Sequence, residues 1–120
     1  MVYTALSEET ARAELIRLAA RQNLDLSSFL PRRLYILQVD LEAVLDLTSE
    51  EALQAVGLRI SDVQSDDPSA CQLVGDAAHK LSLEGILAPS AASTGPILAI
   101  FELNLRPDSV VEAQSFASWP

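Results

Sequence analysis

Val2-Tyr3-Thr4-Ala5-Leu6-Ser7-Glu8-Glu9-Thr10-Ala11-Arg12-Ala13-Glu14 carries two structural signals side by side. Val2-Tyr3-Thr4 combines β-branched and aromatic residues, the composition of a strand. Ser7 followed by two acids reads as a helix start: the hydroxyl can accept from a first-turn N–H, and the carboxylates lie at the positive end of the helix dipole. The chain therefore opens strand, then helix. From Ala11 to Gln22 the apolar residues Ala11, Leu15, Leu18 and Ala19 recur at helical spacing, so one side of this helix faces a core, and Asn23 is its expected end. Glu14 falls within ~60° of both Ala11 and Leu18 on the helical wheel, at the rim of that face.

Outward from this opening, Leu34-Tyr35-Ile36-Leu37-Gln38-Val39 follows Pro31-Arg32-Arg33 and has the length and apolarity of a buried strand. Thr48-Ser49-Glu50-Glu51 matches a capping box from Thr48 to Glu51, and Gly57 stands where a helix end favours a left-handed residue, which predicts a helix from about Ser49 to Val56. Ser61 to Ser69 reads as a loop, and Pro68, with Asp67 as cap, opens a helix to about Leu81. Gly85 to Ala88 and Ile97 to Phe101 read as strands around a loop from Pro89 to Pro96, with Ser109 to Glu112 as a short last strand. The expected class is α+β: a mixed sheet with flanking helices, without the regular alternation of a doubly wound fold.

The chain has 120 residues, which predicts one domain over 1–120. Half its residues are hydrophobic, enough for a core, and eight Lys plus Arg against seventeen Asp plus Glu give a net charge of −9. That balance argues against nucleic acid and anionic membranes as partners, and no run approaches the ~18 apolar residues of a membrane span. One cysteine, Cys71, and one histidine, His79, exclude an internal disulfide and the usual Cys/His zinc cages, so no metal site is expected and a reducing, cytoplasmic setting fits. The four glycines are scattered, which excludes a Walker or dinucleotide fingerprint, and no nucleophile elbow surrounds a serine. His79 and Cys71 read as ordinary helix residues.

Three residues remain as site candidates: Tyr3 on the first strand, Glu14 on the helix after it, and Ser90 at the end of a strand. Each also has a plain reading, Tyr3 as core packing, Glu14 as a surface partner of Arg17, and Ser90 as a solvated turn residue. Val2 to Glu14 resembles the central motif of the RES domain family, a strand, a tyrosine and a helix carrying Ala-x-x-Glu. Gly85-Ile86-Leu87-Ala88-Pro89-Ser90-Ala91 resembles the later motif with the family serine. Cys71-Gln72-x-x-Gly75-Asp76-Ala77-Ala78 and Ile100-Phe101-Glu102-Leu103-Asn104 are similar to the stretches around it.

The resemblance implies an ADP-ribosyltransferase-like fold and the role of a bacterial toxin from a toxin–antitoxin system. Such toxins consume NAD by phosphorolysis or hydrolysis, or transfer ADP-ribose, with NAD as substrate, no separate cofactor and a cognate antitoxin protein as partner. It gives Glu14 the catalytic glutamate's place, and Tyr3 and Ser90 the places of the tyrosine and serine of the NAD cleft. The family arginine belongs upstream of the Val2-Tyr3 strand, so an N-terminally incomplete fold, the C-terminal major part of such a domain, is expected. Arg17, Arg32, Arg33 and Arg106 are the candidate substitutes. Apolar residues such as Val2, Ile36 or Ile100 are then expected to border an exposed apolar patch or an unpaired strand edge, with formation of a homo-oligomer as the remedy. The reading from a different class is a non-catalytic remnant of the domain that acts as a protein-binding module.

The chemistry fits these residue types. Breaking the nicotinamide–ribose bond develops an oxocarbenium-like centre that a carboxylate stabilises. An aromatic ring can stack on the substrate, and hydroxyl and arginine donors can hold its pyrophosphate.

Overall fold

The computed structural model describes residues 1–25, 27, 32–65, 67–93 and 95–119. Pro31, Asp66 and Thr94, which belong to segments read above, lie outside them. The opening is as expected: strand β1 (Val2–Ala5) runs into helix α1 (Glu8–Arg21), and the Ser7 hydroxyl caps α1 by accepting from the Thr10 N–H. There follow β2 (Arg32–Asp40), β3 (Val44–Asp46), α2 (Glu50–Ala55), α3 (Ile60–Gln64), α4 (Ser69–Lys80), β4 (Gly85–Pro89), β5 (Pro96–Ile100) and β6 (Val110–Trp119).

Four strands form one mixed sheet in the order β1-β5-β4-β3. β1, β5 and β4 are antiparallel neighbours, while β3 lies parallel to β4. A parallel pair needs a crossover connection, and α2, α3 and α4 supply it between β3 and β4. The crossover carries the core: Leu47, Leu53 and Leu58 are buried together, with Val63, Cys71, Val74 and Ile86 packed against them. From α1, Leu15 and Ala19 are buried, whereas Leu18 is exposed.

The structure differs from the sequence expectations at several points. Ser49, one residue after Thr48, caps α2, because the Asp46 carboxylate accepts from both the Thr48 N–H and hydroxyl and holds Thr48 back. Gly57, just past α2, is left-handed as expected, with φ +79°. The segment from Ser61 to Ser69, read as a loop, carries most of α3, whose N-terminus is closed by the Asp62 carboxylate accepting from the Arg59 N–H.

The largest correction concerns Leu34 to Val39, expected as a buried strand. It forms the middle of β2, which among the described residues pairs only with β6, in a separate two-stranded ribbon, and leaves Tyr35 and Ile36 exposed. The expected short last strand is the ten-residue β6, lengthened by that pairing. Ile100, expected beside an exposed patch, is fully buried at the centre of the sheet.

Candidate active site

Glu14 and Ser90, 76 residues apart in sequence, are joined directly: the Ser90 hydroxyl donates to Glu14 Oε1 at 2.5 Å. Helix α1 presents Glu14, and Ser90 lies at the first residue after β4. Ser90 is 6% exposed, so the reading of a solvated turn residue does not apply. Its hydroxyl oxygen also accepts from the N–H groups of Ala92 and Ser93, at 3.0 and 3.1 Å. One donor and two acceptor positions are the whole capacity of a hydroxyl, so the side chain is locked in one rotamer. Ser90 thereby fixes one oxygen of the Glu14 carboxylate.

A second tier holds this pair. The Thr10 hydroxyl, almost fully buried, donates to Ser93 Oγ at 3.2 Å, and the Ser7 hydroxyl donates to Thr10 Oγ1 at 3.0 Å. Ser7, Thr10 and Glu14 are spaced three and four residues apart, so they lie along one face of α1 and meet the loop between β4 and β5 together. Gly95 completes the fit, since a Cβ there would collide with the Thr10 hydroxyl. Thr10, Ser93 and Gly95 are absent from the sequence candidates. The three-four spacing of polar residues on an otherwise apolar helix rim was the available signal.

Tyr3 projects from β1 and is 70% exposed, which excludes the core-packing reading. It lines a cleft of about 490 Å³ together with Glu14 and four arginines, Arg17, Arg21, Arg32 and Arg33. Three of the four arginines considered from sequence thus face this cleft, and Arg21 joins them. Arg106 does not: it pairs with Glu42 at 3.4 Å, near the roots of β2 and β6. Tyr3 and Glu14 also border a second cavity, about 350 Å³, whose walls are mostly apolar and include Leu58, Val74, Ile86 and Ala99. A carboxylate anchored by a buried serine therefore stands between a cationic cleft and an apolar groove.

The other reactive residue types read from the sequence have structural roles. The His79 ring packs edge-on against the buried Phe101 ring, with centroids 5.3 Å apart. Cys71 donates to the Asp62 carbonyl at 3.7 Å, and burial, with the Asp62 charge behind it, pushes its thiol above the usual cysteine range. Among the described residues, no cluster of His, Cys, Asp and Glu could hold a metal ion, and no helix is long and apolar enough to cross a membrane.

A family model described as the RES domain matches residues 1–118. The chain is similar to the proteins named NAD(+) phosphorylase MbcT of Mycobacterium bovis and Mycobacterium tuberculosis, 36% identical over 116 residues, which is 95% of this chain. It spans 62% of the length of these curated relatives. It is also similar to a chain in a solved structure described as the crystal structure of the M. tuberculosis MbcT–MbcA toxin–antitoxin complex. There the TM-score is 0.85 at 33% identity, over 98% of this chain and 65% of the other.

Proposed function

Because the chain belongs to the RES domain family, we propose that it degrades NAD as a toxin, cleaving the nicotinamide–ribose bond with inorganic phosphate as acceptor. The observation that carries this reading is the hydrogen bond from Ser90 to Glu14 at the meeting point of the cleft and the apolar groove. The names of the similar mycobacterial proteins support phosphorolysis over the other outcomes open to the family. In this reading residues 1–120 act as one RES-type domain, NAD is substrate and no separate cofactor takes part. The protein works in the cytoplasm, where NAD is found, and a cognate antitoxin protein holds it in check.

The geometry supports the following roles. As the glycosidic C–N bond lengthens, positive charge grows on the ribose ring, and the Glu14 carboxylate stabilises it. The bonding pair leaves with the nicotinamide nitrogen, which becomes neutral, and a phosphate oxygen forms the new bond to the ribose carbon. The products are nicotinamide and ADP-ribose 1-phosphate. Ser90 acts through Glu14 as a positioning residue, holding one carboxylate oxygen so that the charge is aimed before the substrate arrives. Tyr3, exposed at the junction, offers a ring to stack and a hydroxyl to bond. The apolar groove gives the departing nicotinamide a dry neighbour.

The test is nicotinamide release from NAD by the purified protein, with and without phosphate. Release should depend on phosphate, and Glu14→Gln, which keeps shape and removes charge, should lower kcat by about 10²–10³-fold with folding intact. Turnover unchanged in Glu14→Gln would refute the assignment.

A further inference from the structure

We propose that Gln72 and Asp76, on the face of α4 that lines the apolar groove, read the carboxamide of the nicotinamide ring and reject a carboxylate in its place. The inference rests on the function proposed above, which puts nicotinamide beside this groove.

The first argument is the face that α4 turns to the groove. Cys71, Gln72, Gly75 and Asp76 line it, whereas Leu73, Ala77 and Lys80 do not. The three- and four-residue spacing of Gln72, Gly75 and Asp76 sets the two polar side chains on either side of the glycine. Both are exposed at the rim, and neither has a hydrogen-bond or ion-pair partner among the described residues. An amide and a carboxylate thus stand side by side at the edge of a groove whose walls are mostly apolar.

Gly75 supplies the second argument. A glycine in a helix interior weakens the helix, because it has the most backbone freedom to lose. Close approach of another segment can require one, yet a Cβ at Gly75 would meet nothing within 4 Å. Packing therefore does not call for it. Gly75 lines the groove instead, and bare backbone between two polar side chains leaves room for a flat ring whose substituent lies between them.

Charge is the third argument. Glu14 and Asp76 line the groove, and among the described residues no lysine or arginine does. The nicotinamide ring of NAD carries a positive charge, which such a groove favours. Its carboxamide offers N–H donors and a carbonyl acceptor in one plane: the Asp76 carboxylate accepts from the NH2 group, and the Gln72 amide donates to the carbonyl. A carboxylate in its place has no proton for Asp76 and meets it charge against charge, so the wrong ring is repelled as well as less well held. Water and salt screen that repulsion at the rim, which sets the expected discrimination at about tenfold rather than the several orders of magnitude of a sealed polar site.

Two small molecules separate this reading from the reaction, because 1-methylnicotinamide and 1-methylnicotinate share the charged ring and differ only in the group that is read. In ligand-observed NMR titrations the purified protein should bind the amide about tenfold more tightly than the carboxylate. Asp76→Asn, which can donate as well as accept, should narrow the gap to about threefold or less by admitting the carboxylate, and Gln72→Leu should weaken the amide by about threefold or more. Gly75→Ala should weaken both molecules while raising the midpoint of urea unfolding, opposite signs that damage to the fold does not produce.

Equal affinity for the two molecules, or a gap that Asp76→Asn leaves unchanged, would overturn the assignment. A preference for the amide that Asp76→Asn abolishes, in a protein that never releases nicotinamide from NAD, would uphold the polar pair and reject the reaction. Phosphate-dependent cleavage of NAD and of nicotinic acid adenine dinucleotide with equal kcat/KM would uphold the reaction and reject the pair.

Discussion

Ser90 uses its whole hydrogen-bonding capacity on the protein, so its influence on a ligand passes through the Glu14 carboxylate it holds. Ser90→Ala should lower kcat about ten- to a hundred-fold while changing KM for NAD little, because the carboxylate keeps its charge but loses its aim. Steady-state kinetics separate these two parameters; a rise in KM alone would mean that the serine touches the ligand instead. Gly95→Ala should cost about 1–3 kcal/mol, read by urea denaturation, because a methyl group there meets the Thr10 hydroxyl. At this scale the sequence was partly legible. Glu14 and Ser90 stood out through short motifs, and the helical wheel placed Glu14 at a buried rim. Thr10 was marked only by its spacing from Ser7 and Glu14, and Ser93 by nothing, because their meaning lies in a contact across 83 residues that only the closed fold creates.

The ribbon of β2 and β6 is joined to the main sheet at its root by Glu84. This carboxylate is 1% exposed and accepts from the N–H groups of Glu42 and Ala43 through Oε1, at 3.0 and 2.9 Å, and from the Ser109 hydroxyl through Oε2. The Ser109 hydroxyl, more than the Ala43 and Glu42 N–H groups and the Arg106 charge, holds its pKa below the usual 4.5. A lowered folded-state pKa contributes stability that is present above the ordinary glutamate value and is lost as pH falls through the folded value. The midpoint of urea unfolding should therefore decline below pH 4.5, and Glu84→Gln should flatten that decline while lowering stability at neutral pH. An unchanged acid limb in the variant would contradict the role. The elements themselves were largely legible, since caps and turn residues act locally. What Leu34 to Val39 could not reveal was its neighbour: an apolar run reads alike whether a second layer covers it or one strand alone pairs with it. Helix α3 escaped notice because five residues are too few to display a period.

Across the described residues, Tyr35, Ile36 and Phe116 leave apolar surface exposed on the ribbon, and β1 is an outer strand of the four-stranded sheet. A two-stranded ribbon is marginal by itself in water, so cover by another chain is favoured. Sedimentation velocity should show the average mass rising with protein concentration, and Ile36→Lys should reduce the effect; a monomer at every concentration would contradict it. The fold class was readable from the order of elements, while the separation into a sheet and a ribbon depends on pairings between residues far apart in sequence. Those pairings also set a timetable. Val2 pairs with Ile100, and Glu14 waits for Ser90, so β1 finds its neighbour only when about a hundred further residues have been made. Until then Glu14 lacks the Ser90 hydrogen bond, and the apolar groove lacks the wall that Ile86, Ala88, Ile97 and Ala99 supply. In the reading proposed above, the site is therefore assembled late, once β5 has closed against β1.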